Sequence, residues 1–157
     1  MRVEIREVEI ADEKSKICDS ILRALPNWFA IEASIVDYAS GVTDNVFFGA
    51  FDGSMPVGFI SLKVHNPYTA EIYVMGLLEK CHGQGIGRKL VEICENYCRA
   101  HNMEFFTVKT VSDGSEDTYY EKTRLFYAAM GFKPLEVFPL LWDEHNPCLF
   151  LAKYVGL

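Results

Sequence analysis

The sequence has no long apolar run: nothing in its 157 residues approaches the roughly 18 consecutive apolar positions of a membrane-spanning helix. It is also short of positive charge. Fifteen Lys and Arg stand against 22 Asp and Glu, a net charge of −7, so the chain has no bulk attraction for nucleic acid or an anionic membrane, and neither is expected as a partner. No C-x-x-C occurs. The five cysteines (Cys18, Cys81, Cys94, Cys98, Cys148) are odd in number, and Cys94 and Cys98 stand one helical turn apart, a spacing for packing rather than for zinc. The four histidines show no ligand spacing either, so no metal is expected. Residues 1–6 hold no apolar run, so a signal peptide is not expected and the thiols are expected to be reduced in the cytoplasm. No repeat or Pro/Gly/Ser linker divides the chain, and one domain over residues 1–157 is expected. What is present, half apolar residues with a quarter charged, suffices for an ordinary core and excludes global disorder.

Alternation at Val3, Ile5, Val8 and Ile10 predicts a half-exposed strand. Asp12 is expected to cap a helix that carries Ile17, Ile21, Leu22 and Leu25 and stops at Pro26; a second helix is expected over about 29–39, with Ile31, Ile35, Val36 and Ala39 on one face. Runs at 46–51, 57–64 and 70–78, separated by Asp52-Gly53 and Asn66-Pro67, predict an antiparallel meander. Steps of three and four through Ile86, Leu90, Ile93, Cys94, Tyr97 and Cys98 predict a helix over 85–102, and 105–111 reads as a strand. After a polar loop at 112–117, Thr118 to Glu121 has capping-box spacing; the helix it opens, carrying Leu125, Phe126 and Met130, should end at Gly131. Two strands, about 135–140 and 149–154, flank a polar turn. The order β-α-α-β-β-β-α-β-α-β-β describes a single-domain α/β fold. Its sheet is mixed, mostly antiparallel, with helices on both faces and one right-handed parallel crossover.

The most informative stretch runs from Glu71 to Leu90, where a strand enters a short loop with glycines at 83, 85 and 87 and a helix follows at once. Glycines allow close backbone approach to a ligand, and a helix's first turn offers unpaired N–H groups and a positive dipole end, so the segment is a candidate anion holder, with Arg88 and Lys89 beside it. The spacing is neither the G-x-x-x-x-G-K-[ST] of mononucleotide loops nor G-x-G-x-x-G, and the loop follows a meander rather than opening a parallel sheet.

His82-Gly83-Gln84-Gly85-Ile86-Gly87 resembles the [Q/R]-x-x-G-x-[G/A] acetyl-CoA motif of the GCN5-related N-acetyltransferase (GNAT) superfamily, with His82 in place of Gln or Arg. Phe126-Tyr127-Ala128-Ala129-Met130-Gly131-Phe132 is similar to a second motif of that family, and the element order matches along essentially the whole chain. The resemblance implies an acyl-CoA acyltransferase fold in which the fourth and fifth strands splay. It implies acetyl-CoA as cosubstrate, contacted by Leu77, Leu78 and residues His82, Gly83, Gln84, Gly85, Ile86, Gly87 and Arg88. An amine would attack directly in a ternary complex. Tyr127 would protonate the departing thiolate and Glu71 would serve as base, with Glu116, Asp117, Asp143, Glu144 and His145 as rival candidates. Trp28, Phe29 and Trp142 would wall the acceptor site. The acceptor would be an amine of a small molecule or peptide, with bulk charge favouring a cationic one. The late strands and the acceptor-side helices could form a homodimer face. A non-catalytic CoA-binding or scaffolding domain of the same fold, or a nucleotide-binding module, stays open as an alternative.

Overall fold

A computed structural model of the chain describes residues 2–113 and 117–156; of the expected site residues, Glu116 lies outside them. The elements follow the expected order: β1 (Val3–Glu7), α1 (Ala11–Arg23), α2 (Glu32–Gly41), β2 (Val46–Asp52), β3 (Met55–Asn66), β4 (Thr69–Leu77), α3 (Ile86–Ala100), β5 (Phe105–Val111), α4 (Thr118–Ala129), β6 (Lys133–Asp143) and β7 (Asn146–Tyr154). Short 3-10 turns join α2 to β2 and precede the loop before α3. The seven strands form one sheet in the order β1-β2-β3-β4-β5-β7-β6, antiparallel except for β4 against β5.

Two cores lie on the two faces of this sheet. Leu90, Val91 and Cys94 of α3, with Tyr127 and Met130 at the end of α4, pack on Ile60, Leu62, Ile72 and Phe106. On the other face, Ile17, Ile21 and Leu22 of α1 and Ile35 of α2 cover Phe47, Phe59 and Val74. Phe47 and Phe59 stack at 5.2 Å between centroids, an arrangement that adds about 0.5–1.5 kcal/mol beyond the burial of the rings.

Several local expectations are corrected. The N-cap of α1 is Ile10, with Asp12 in the first turn, and the helix ends at Arg23, short of Pro26. α2 starts at Glu32, because the segment before it turns back on the α1 end through Trp28 and Phe29 amides bonded to the Leu25 carbonyl. Its Ile31 and Val36 are half exposed, leaving Ile35 and Ala39 to face the core. α4 is capped by Asp117, not by the Thr118 capping box: the Asp117 carboxylate accepts from the Tyr119 and Tyr120 amides, and Leu125 points to solvent.

Two irregularities in β4 shape the site. Ser61 pairs with Val74 and Leu62 with Ile72, so Tyr73 is an extra residue in a β-bulge. It shifts the alternation: Ala70 and Ile72 face α3 before the bulge, Met75 and Leu77 after it. Pairing of β4 with β5 then stops at Ile72–Val108, although both strands continue. Beyond that pair the strands part, as the resemblance implied, and the sheet opens.

Candidate active site

A cavity of about 1120 Å³ fills this opening, larger than the roughly 300–1,000 Å³ that holds one drug-sized ligand. It touches both faces of the sheet. Its walls include Trp28, Phe29 and Tyr38 from the α1–α2 side and Gly85, Arg88 and Tyr127 from the α3–α4 side. A molecule entering from one face can therefore meet a molecule entering from the other, in the gap between β4 and β5.

The α3 end of the cavity could hold an anion. Gly83 and Gly85 have φ of +75° and +82°, a conformation that costs other L-residues about 1–2 kcal/mol. A Cβ at either would meet nothing within 4 Å, so the loop backbone stands open. Gly85 is the N-cap of α3; no side chain caps the helix and no acidic residue occupies its first turn. The N–H groups there therefore have no side-chain acceptor, and the positive end of the dipole faces the cavity uncompensated. Gly87 also lines the cavity, and a Cβ there would reach ordinary contact with the Phe126 ring at 3.4 Å. Arg88 borders the cavity and its guanidinium is only loosely paired with Glu92, at 3.9 Å.

Of the other residues expected on the cofactor side, Leu77 lines the cavity. Its carbonyl is bonded by the His82 ring at 2.7 Å, so in an extended strand its N–H also faces the gap rather than β3. His82 lines the cavity too, its imidazole braced by Leu77 and by the Trp28 ring at 5.6 Å. Leu78, Gln84 and Ile86 do not border it. The Leu78 amide is bonded to the Val57 carbonyl, the Gln84 amide side chain donates to the Lys80 carbonyl, and the Ile86 side chain is buried under α3.

Tyr127 is 5% exposed and lines the cavity between Phe126 and Phe132. Burial pushes its hydroxyl well above the ordinary phenol range, with Tyr120 and Tyr38 adding to the shift, so it stays protonated at neutral pH. Glu71 is placed differently. It is 6% exposed, does not border the cavity, and has both oxygens engaged, one by the His65 ring at 2.7 Å and one by Lys109 at 2.9 Å. Lys109, which the sequence reading passed over, lines the cavity just beyond the last β4–β5 pair. Its signal was faint: a lysine in a strand otherwise rich in β-formers. Trp28, Phe29 and Trp142 all line the cavity. The Trp28 indole donates to the Tyr119 carbonyl at 3.3 Å, and the Tyr120 hydroxyl donates to the Trp28 carbonyl at 2.5 Å, so the α1–α2 segment is tied to the start of α4. Asp117 and Asp143 also border the cavity; Glu144 and His145 do not, and lie exposed at the β6–β7 turn. Among the described residues no group of His, Cys, Asp and Glu is arranged to hold a metal ion.

The model of the acetyltransferase (GNAT) family matches residues 15–132, which include the loop, α3 and Tyr127. The chain belongs to that family. A mycothiol acetyltransferase from Corynebacterium glutamicum is 43% identical over 51 residues, which are 32% of this chain and 18% of that protein; the matched stretch is thus a small part of the curated relative. Two solved structures share the fold at low identity. One is a protein from Desulfovibrio desulfuricans assigned to the GNAT family, with TM-score 0.80, 16% identity, and coverage of 99% of this chain and 100% of that one. The other is an aminoglycoside 6'-N-acetyltransferase complexed with coenzyme A, with TM-score 0.77, 18% identity, and 98% of each chain covered. The family match ends before β6 and β7, the strands that carry Trp142 and Asp143.

Proposed function

We propose that the chain is an acetyl-CoA-dependent N-acetyltransferase acting on a primary amine in a ternary complex. The observation that carries this reading is the cavity at the β4–β5 gap, lined from both faces of the sheet, with the uncapped start of α3 at one end and an aromatic wall at the other.

In this reading the diphosphate of acetyl-CoA rests on the N–H groups at the start of α3, with Arg88 beside it. The acetyl carbonyl accepts the Leu77 N–H, which polarises it and stabilises the oxyanion that forms on attack. The neutral amine attacks the carbonyl carbon, the C–N bond forms, the C–S bond breaks, and the thiolate leaves. The nitrogen sheds a proton and the thiolate gains one. Tyr127 donates to the sulfur. Because its hydroxyl is raised above a thiol's range, it cannot hold the resulting charge at equilibrium. It must pass a proton on as it receives one from the intermediate, a relay rather than a reservoir. Glu71 acts through Lys109, holding that side chain at the floor of the cavity, and is a positioning residue in this account.

The test is a measurement of CoA affinity by calorimetry alongside thiol release with acetyl-CoA and a panel of amines. Tyr127→Phe should lower kcat by about 10²-fold, within the range for a lost proton-transfer group, with CoA affinity unchanged. Micromolar CoA binding with no thiol release from any amine would favour the non-catalytic alternative. Absence of CoA binding would end the proposal.

A further inference from the structure

Bulk charge points to a cationic acceptor, but the charges around the cavity point elsewhere. The cations bordering it are Arg88, Lys109 and Lys122. The carboxylates bordering it, among the described residues, are Asp117 and Asp143, and both already accept hydrogen bonds from their own turns. Asp117 accepts from the Tyr119 amide at 2.8 Å and from the Tyr120 amide at 3.4 Å. Asp143 accepts from the His145 amide at 2.9 Å and the Asn146 side chain at 3.0 Å. Glu71, the nearest buried carboxylate, is set back from the cavity and paired with Lys109. A second ammonium on the acceptor would find no carboxylate at the cavity that is not already accepting hydrogen bonds.

What the α1–α2 side does offer is a run of half-buried rings. Phe29 meets Tyr38 edge to face at 6.1 Å, and Tyr38 meets Tyr73 in the same way at 5.4 Å. All three line the cavity, as does Trp142 from β6, which is 41% exposed. The β4 bulge contributes here, since it is what turns the extra Tyr73 toward α2, where its ring packs against Gly41. Aromatic faces and edges left open in a cavity favour a flat ring as ligand, through offset and edge-to-face contacts. There is also a chemical consequence. A facing carboxylate would hold the amine strongly in its ammonium form, which has no lone pair; ring faces attract an ammonium more weakly, by cation–π interaction.

We infer that the acceptor is a singly charged primary amine carried on an aromatic body, seated against Phe29, Tyr38 and Tyr73, rather than a polyamine or amino sugar. This inference rests on the proposed function and names the substrate class of that same site.

The experiment uses the full chain saturated with CoA for binding and with acetyl-CoA for turnover. Affinities and kcat/KM are compared for 2-phenylethylamine, tryptamine, hexylamine and spermidine. The aromatic amines should bind about tenfold or more tightly than spermidine and than the alkyl amine, the scale set by one or two well-placed ring contacts. Phe29→Leu should cost the aromatic amines about fivefold or more in affinity while hexylamine changes by less than about twofold, because only the ring contact is removed. Spermidine bound or acetylated as well as the aromatic amines would overturn the inference and leave the acetyltransferase reading standing. Aromatic amines bound tightly with no thiol release would support the ligand class and defeat the catalytic reading, so the two fail separately.

Discussion

Helices α3 and α4 open on the same cavity and finish their N-termini in opposite ways. α4 caps itself: Asp117 accepts the amides of Tyr119 and Tyr120, and Glu121 adds negative charge to the first turn. α3 does none of this. It starts at a left-handed glycine, has no side-chain cap and carries no acid in its first turn. Capping is the ordinary way to satisfy a helix start, at about 1 kcal/mol for a Ser, Thr, Asn or Asp. A helix that forgoes it at the edge of a cavity leaves its donors open, as the proposed diphosphate contact requires. What distinguishes α3 from α4 is the absence of a side-chain acceptor together with the open space above Gly83 and Gly85.

The sharpest way to break the contrast is to give α3 an acid of its own. Gly85→Glu should lower CoA affinity by more than about 100-fold, because the new carboxylate competes for the same amides and repels the diphosphate. Part of the change is backbone strain, since φ at 85 is +82°. Gly85→Ala carries that strain without the charge, and should lose about 1–2 kcal/mol of stability while keeping much more of its CoA affinity. Calorimetric titration of both variants separates the two effects. Equal losses would assign the defect to strain, and retained micromolar affinity in the glutamate variant would remove α3 from the binding site.

The two helices are also tied to each other, away from the cavity. Lys153 of β7 donates to the Met130 carbonyl, which closes α4, and pairs with Glu95 of α3. Burial alone would raise the Glu95 carboxyl, but Lys153 and then Arg99 outweigh it and bring it below the ordinary range. A carboxyl depressed in the folded state contributes stability above its unfolded pKa and loses it as pH falls through the folded value. Lys153→Met should therefore cost about 1–2 kcal/mol at pH 7, the scale of a hydrogen bond to a charged group discounted for partial exposure. The deficit should shrink as pH drops below about 4, where Glu95 protonates in the unfolded chain. Denaturant titrations at pH 7 and pH 3.5 check this, and an equal deficit at both would mean that the Glu95 pair contributes nothing.

The sequence is most legible where the physics is local. The strand, glycine loop and α3 follow one another within twenty residues, and hydrophobic periodicity placed every strand and helix in order. The capping of α4 was misread because Asp117 and Thr118 are both good cap residues, and only the backbone conformation chooses between them; Asp117 is extended, with ψ of 109°. Glu71 illustrates a non-local limit. A glutamate on β4 suits a base, but its partners come from the end of β3 and from β5, 38 positions away in the case of Lys109. The bulge at Tyr73 was equally hidden, since Ile72, Val74 and Gly76 look like one face in a period of two and in fact divide between the two cores. Sequence patterns report which residues want burial; they do not report which side of a sheet an inserted residue leaves them on.

The mildest perturbation makes the other helix resemble α3. Asp117→Ala removes the α4 cap and frees the amides of Tyr119 and Tyr120. The expected cost is about 1 kcal/mol, which lowers Tm by about 2–4 °C for a domain of this size. A second consequence is specific to the site. The first turn of α4 holds Trp28 through the Tyr119 carbonyl and the Tyr120 hydroxyl, so loosening it should raise KM for the acceptor amine by a few-fold while CoA affinity stays put. Steady-state kinetics with calorimetry resolves the split. If CoA affinity rises instead, the freed α4 start has become a second anion site, and the difference between the two helices would come down to the cap alone rather than to the glycine loop that precedes α3.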